Sequence, residues 1–264
     1  MLNIIFSGIN LEIRLRIWYN TDITTYGEET MKCVLFDLDG TLLPLDQDEF
    51  INTYFAALYR HIAKRGFSLE EFSPPFKRGV YKMAKNDGVM TNEDAFWAVM
   101  ESQIPSAREI YTPVLDDFYN NEFDKIISVT KPSGMARELV DFCHKNGLST
   151  ALATSPVFPR IATEKRMAWV GLKPEDFLCI TTYENSRYTK PDPGYYTTLC
   201  EEIGVAPEEC IMVGNDAVDD LGAREVGIPV FLLMNNFLNR TGLDVSGVPQ
   251  GNENDLKKFI LENL

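Results

Sequence analysis

Histidine is nearly missing from this chain. Only His61 and His144 occur in 264 residues, so a site built on clustered imidazoles is excluded. Each falls on a helical segment and is expected to face solvent, His144 near a helix end where a cation suits the helix dipole, and neither is assigned a catalytic role. Cysteine is scarce and scattered: Cys33, Cys143, Cys179, Cys200 and Cys210 are odd in number, sit in mostly apolar surroundings and lack metal-ligand spacing. They read as reduced core thiols of a cytoplasmic protein. No apolar run approaches the length that spans a bilayer, and no basic segment with a small-residue cleavage site marks a signal peptide. Cations are also short, with 25 Lys and Arg against 39 Asp and Glu and a formal charge of −14. That balance argues against nucleic acid or an anionic membrane as partner.

What is present describes a globular protein, with 45% hydrophobic residues and mixed charge. The length suits one large domain, or a core with a smaller domain inserted. The organising stretch is Val34-Leu35-Phe36-Asp37-Leu38-Asp39-Gly40-Thr41. Its apolar half predicts a buried strand, and period-two geometry puts Asp37 and Asp39 on one face at the strand's carboxyl edge. In open α/β sheets ligands bind at that edge. Carboxylates so placed can bind a hard cation such as Mg²⁺, or divide labour as nucleophile and general acid/base.

Residues 45–130 read as helices without strands: an amphipathic run from Glu49 to Gly66, then 76–85, 92–103 and 113–123. Thr91-Asn92-Glu93-Asp94 makes a helix start. Strand and helix alternate again after Pro132, with strands expected at 148–154, 177–181, 210–214 and 228–234 and a closing helix over 254–264. The fold class expected is therefore α/β, a Rossmann-like open parallel sheet with helices on both faces. Its core would be 31–44 and 131–264, with 45–130 inserted as an α-helical cap on hinges near Pro44 and Thr130. Residues 1–30 fit poorly with the α/β pattern that begins at Met31 and read as an N-terminal extension.

Polar residues recur at the expected strand ends. Thr154 and Ser155 close one strand, where a hydroxyl and the turn's N–H groups can hold a phosphate oxygen. Lys190 precedes Pro191 and Pro193, which aim it reproducibly. Gly214-Asn215-Asp216-Ala217-Val218-Asp219-Asp220 closes another strand with crowded carboxylates that repel unless a cation is present or they face solvent.

Taken in order, Asp37-x-Asp39-Gly-Thr, Thr154, Lys190-Pro and Gly214-Asn-Asp216-x-x-Asp219-Asp220 resemble the four motifs of the haloacid dehalogenase-like hydrolases, over Met31 to the chain end. The helical insertion is similar to the family's C1-type cap. The resemblance implies that Asp37 is a nucleophile forming an aspartyl-phosphate and that Asp39 protonates the leaving oxygen, then activates water. It implies that Thr154, Ser155 and Lys190 bind phosphate, with Lys190 also offsetting charge on Asp37. Mg²⁺ would be held by Asp37, the Asp39 carbonyl and Asp216, with Asp220 as outer support or alternative ligand, because Asn215 stands where the family commonly has Asp. Dehalogenases lack the second acid, so Asp39 favours phosphoryl transfer. The implied activity is hydrolysis of a small phosphorylated metabolite by a monomer or weak dimer. A sugar-phosphate mutase and a non-catalytic binding protein are the alternatives. Lys85 and Asn86, before the Asp87-Gly88 turn, are candidates to reach the substrate from the cap.

Overall fold

The computed structural model describes residues 31–264, so the expected 1–30 extension lies outside the described residues. Strand β1 (Cys33–Phe36) is buried at every position. An apolar run without alternation needs cover on both faces, and a central place in a parallel sheet supplies it. With β2 (Ser149–Leu152), β3 (Cys210–Gly214), β4 (Val230–Leu233) and β5 (Gln250–Gly251) it forms a parallel sheet in the order β2-β1-β3-β4-β5. The chain leaves β1 for β2 on one side and later returns to β3 on the other. The switch in direction therefore falls between the carboxyl ends of β1 and β3, where such sheets open a crevice.

Helices lie between β1 and β2: α1 (Gln47–Lys64), α2 (Leu69–Met83), α3 (Asn92–Glu101), α4 (Ala107–Asn121) and a 3₁₀ helix, Phe123–Val129. Asp46 starts α1 by accepting the Glu49 N–H at 2.8 Å, and Thr91 starts α3 by accepting that of Asp94 at 3.1 Å. Two of these helices begin earlier than their prolines suggest. Helix α2 runs through Pro74 and Pro75, and α4 through Pro113. A proline ring fixes φ near its helical value, and its cost is a missing donor and a crowded preceding turn. Burial of Phe72, Pro75 and Phe76 on the inner face of α2 outweighs that cost. His61 is the other correction: it is buried in α1, against the Phe118 ring, with Nε2 3.1 Å from Asp117 Oδ2.

The two crossings between this block and the sheet lie side by side. Leu45 bridges Thr130, and the Lys131 N–H donates to the Pro44 carbonyl at 2.7 Å. A further tie joins the start of α3 to the loop ahead of Lys190, where the N–H groups of Asn92 and Glu93 donate to Ser186 and Tyr183, each at 2.8 Å.

The remaining helices cover the sheet on both faces. Val34, Phe36, Ile211 and Val213 share one core with α5 (Met135–Lys145), α6 (Arg160–Trp169), α8 (Glu253–Glu262) and the helical block. Leu35, Met212 and Leu232 share the other with α7 (Pro193–Ile203). The strand expected at 177–181 shrinks to one bridge, Leu152 to Ile180. Leu178 is 57% exposed, so this edge segment lacks apolar cover on one side. None of the described helices is long and apolar enough to cross a membrane.

Candidate active site

The β1 and β3 ends meet at Asp37, whose N–H donates to the Val213 carbonyl at 2.9 Å. Its carboxylate is held on both oxygens. Lys190 Nζ donates to Oδ1 at 2.9 Å, and Thr41 Oγ1 lies 3.0 Å from Oδ2 and 3.0 Å from Asn215 Oδ1. Lys190 is buried and also donates to Asp220 Oδ1 at 2.7 Å. The other oxygen of Asp220 accepts the N–H groups of Asn215 and Asp216 at 2.9 and 2.8 Å. Asp220 is thus an anchor with both oxygens engaged.

Two glycines are needed for these approaches. A Cβ on Gly214 would sit 2.0 Å from Asp220 Oδ2, displacing the carboxylate that fixes Lys190. Gly40 has φ of +89°, and a Cβ there would sit 2.3 Å from Asn215 Nδ2. Both the left-handed turn and the close packing call for a residue without a side chain.

Burial pushes Asp37 up to about 7, with Asp220 and Asp39 adding to the rise and Lys190 opposing it. Burial would pull Lys190 down, but Asp220 and Asp37 outweigh it and hold its pKa well above the ordinary lysine value. Asp216 and Asp219 are also raised, first by burial; repulsion from Asp216 and Asp220 pushes Asp219 far above a normal carboxyl. Asp216 Oδ1 accepts the N–H groups of Val218 and Asp219 at 2.7 and 3.0 Å.

A cavity of about 670 Å³ adjoins the pocket, lined on its sheet side by Asp39, Ser155, Lys190, Asp216 and Asp219. Thr154 stands behind this lining: it is buried, and its carbonyl accepts from Thr181 Oγ1 at 2.7 Å and Tyr195 OH at 3.0 Å. Lys85 lines the cavity. Asn86 is not brought to it. Its Nδ2 donates to the Met90 carbonyl and to Asn92 Oδ1, each at 2.8 Å, so the amide is spent on the turn between α2 and α3.

The acid cluster has the chemistry of a hard-cation site. Asp37, Asp216 and Asp219 offer oxygen donors beside Lys190, and burial first, then repulsion from neighbouring carboxylates, raises the pKa of each. A divalent cation would relieve that repulsion, and carboxylate oxygens are the donor type a hard cation takes. Among the described residues no cluster of three or more His, Cys, Asp or Glu side chains forms a ready cage.

One partner carries no motif. Arg166, on the buried face of α6, pairs through Nη1 with Asp39 Oδ2, while its Nε donates to the Ala162 carbonyl at 3.1 Å. Its guanidinium also lies 4.4 Å from the centre of the Phe158 ring. The signal for it in the sequence is its spacing from Ala162, Thr163 and Met167, which puts a cation on the apolar side of a helix. Thr41, Asn215 and Asp219 lie within the motifs, where position alone assigns them no separate role.

The model of the haloacid dehalogenase-like hydrolases matches residues 31–227. A phosphoglycolate phosphatase from Thiobacillus denitrificans is 26% identical over 201 residues, covering 76% of this chain and 82% of that protein. The pyrophosphatase PpaX of Halalkalibacterium halodurans is 26% identical over 199 residues, covering 74% of this chain and 80% of its own length. Among solved structures, a predicted phosphoglycolate phosphatase from Haemophilus somnus 129PT superposes with a TM-score of 0.55 at 15% identity, covering 88% of this chain and 99% of that one. That last likeness speaks for the fold. By the family match, which spans most of the chain, this protein belongs to the haloacid dehalogenase-like hydrolases.

Proposed function

We propose that this hydrolase is a Mg²⁺-dependent phosphatase that cleaves a small phosphorylated metabolite through an aspartyl-phosphate on Asp37. Phosphatase chemistry is what family membership and relatives named as phosphatases support. The observation that carries the reading is the setting of Asp37, fixed between Lys190 and Thr41 at the sheet's switch point, two residues before a second carboxylate, Asp39, that lines the adjoining cavity.

An Asp37 oxygen attacks phosphorus as the ester P–O bond breaks, and the leaving oxygen takes its proton from Asp39. Burial raises the pKa of Asp39, and the Arg166 guanidinium beside it opposes that rise. Water then attacks phosphorus, gives its proton back to Asp39, and frees phosphate and the Asp37 carboxylate. Lys190 compensates charge on Asp37 and the phosphoryl oxygens throughout, while Thr154, Ser155 and the N–H groups of their turn bind those oxygens. Mg²⁺ held by Asp37, the Asp39 carbonyl and Asp216 would supply further charge neutralisation and orientation when bound. Residues 45–130 act as the cap that shapes the substrate space, on a core of 31–44 and 131–264. All five cysteines are free and buried, which supports a reducing, cytoplasmic setting.

The test is phosphate release from a panel of phosphomonoesters with Mg²⁺, comparing the wild type with Asp37→Asn. Metal-dependent release that the variant loses supports the reading. Release that survives Asp37→Asn removes the covalent route.

A further inference from the structure

Away from the acid cluster, rings form a large part of the cavity's apolar lining. Phe50 and Tyr54 of α1, Phe76 of α2, Phe96 and Trp97 of α3, and Phe158 after β2 all line it. Several already pack edge to face: Tyr54 with Phe158 at 5.1 Å between centroids, Phe76 with Phe96 at 5.2 Å, and Phe96 with Trp97 at 5.0 Å. Tyr54 and Tyr119 hydrogen-bond to each other through their hydroxyls at 2.8 Å. Rings in such a wall offer faces and edges to another ring at a distance they already use among themselves.

Charge makes the opposite point about a second anion. Of the cations on the lining, Lys190 lies between Asp37 and Asp220, and Arg240 is paired with Asp48 at 2.8 Å. Among the described lining residues Lys85, which is exposed, is the cation left without an ion pair. Asp116, Asp216 and Asp219 line the same space. A substrate with a carboxylate or a second phosphate beyond the reacting one would meet more carboxylates than cations. The space, about 670 Å³, is also of the size that holds drug-sized ligands and far more than a two-carbon acid fills.

We infer that the substrate is a phosphomonoester whose alcohol carries a planar aromatic ring system, seated among Phe50, Tyr54, Phe76, Phe96, Trp97 and Phe158, and without a second anionic group. This rests on the phosphatase reading above and names its substrate class. The chemistry is unchanged: the ester P–O bond breaks, the aromatic alcohol leaves with the proton from Asp39, and water releases phosphate.

The experiment compares primary alkyl esters, so that the leaving groups are alike in reactivity: 2-naphthylmethyl phosphate, cyclohexylmethyl phosphate, ethyl phosphate and 2-phosphoglycolate, each with Mg²⁺ and full-length enzyme. The expected result is a kcat/KM for the naphthylmethyl ester roughly a hundredfold above ethyl phosphate and roughly tenfold above the cyclohexyl ester, with phosphoglycolate lowest. Equal values for all esters, or a preference for phosphoglycolate, overturn the inference and leave the phosphatase standing. A cyclohexyl ester as good as the naphthyl one overturns the ring requirement. No metal-dependent release from any ester overturns the phosphatase reading and the inference with it. A second arm uses Val80→Trp, which fills the cavity from α2 without touching the acid cluster. KM for the naphthylmethyl ester should rise roughly tenfold relative to that for ethyl phosphate, and a parallel change in both counts against the seat.

Discussion

Arg166 holds Asp39 from the interior of the protein. The guanidinium has no exposed surface, and of the two Asp39 oxygens one pairs with it while the other is buried without a partner. A buried cation with one carboxylate partner is a strong constraint on where that carboxylate points. Arg166→Met should lower stability by about 2 kcal/mol, since it leaves the half-buried Asp39 without its cation partner. It should also lower kcat more than it raises KM, because in the proposed mechanism Asp39 acts on the leaving oxygen while other groups hold phosphate. Adding Asp39→Asn should restore most of the lost melting temperature without restoring turnover. Thermal melts beside steady-state kinetics decide this, and a double variant no more stable than Arg166→Met would refute the coupling.

Asp216 and Asp220 should separate in their response to Mg²⁺. Asp220 has both oxygens committed, to Lys190 and to the main-chain N–H groups of Asn215 and Asp216. Its replacement by Asn turns a donor toward one of these donors, and should cost about 3 kcal/mol of stability along with most of kcat. Asp216→Asn should keep the fold and raise the Mg²⁺ concentration needed for half-maximal phosphate release by about tenfold or more. A titration of activity against Mg²⁺ in both variants checks the assignment. If the midpoint moves mainly in Asp220→Asn, the two roles are exchanged.

The α/β core was legible because its strands are short apolar runs ending in polar turns, and the parallel sheet places those ends together. Asp37, Lys190 and Asp220 are far apart in sequence yet come into direct contact, as an ordered series of strand ends implies. What escaped was set by tertiary packing. Helix α2 passes through Pro74 and Pro75 because its buried aromatic face outweighs the local preference, and His61 is drawn inward by Asp117 and Phe118 across the helical block. The segment 177–181 has strand-like residues but lies at an edge with one side open. Arg166 could not be placed from a motif, since its role depends on which residue faces α6 in space.

Asn92 ties the helical block to the loops on both sides of the site. It is fully buried, accepts from Asn86 Nδ2 at 2.8 Å, and donates through Nδ2 to the carbonyls of Pro156 at 3.0 Å and Tyr188 at 3.2 Å. Asn92→Ala removes a partner from Asn86 Nδ2 and from the carbonyls of Pro156 and Tyr188, and should destabilise the protein by about 2 kcal/mol. Lys85, seven residues earlier and exposed, should tolerate Lys85→Ala with no change in melting temperature. Chemical denaturation of the two variants checks the contrast.

Asp176 gives the pH dependence of stability a defined sign. It accepts from Arg137 Nη1 at 2.7 Å and from the Lys173 N–H at 2.7 Å. Burial pushes its pKa up, but Arg137 and the Lys173 N–H outweigh it, and the carboxyl ends below its ordinary value. The unfolded chain therefore binds this proton at a higher pH than the folded one, and stability from Asp176 rises with pH between the two values. It is complete above the unfolded pKa of about 3.9 and is lost as pH falls through the lower folded value. Asp176→Asn should melt earlier than the wild type at neutral pH, and the gap should close as pH drops below about 4. Melting temperatures of both proteins from neutral to acid pH test this, and a gap that persists or widens in acid would reverse the assigned sign.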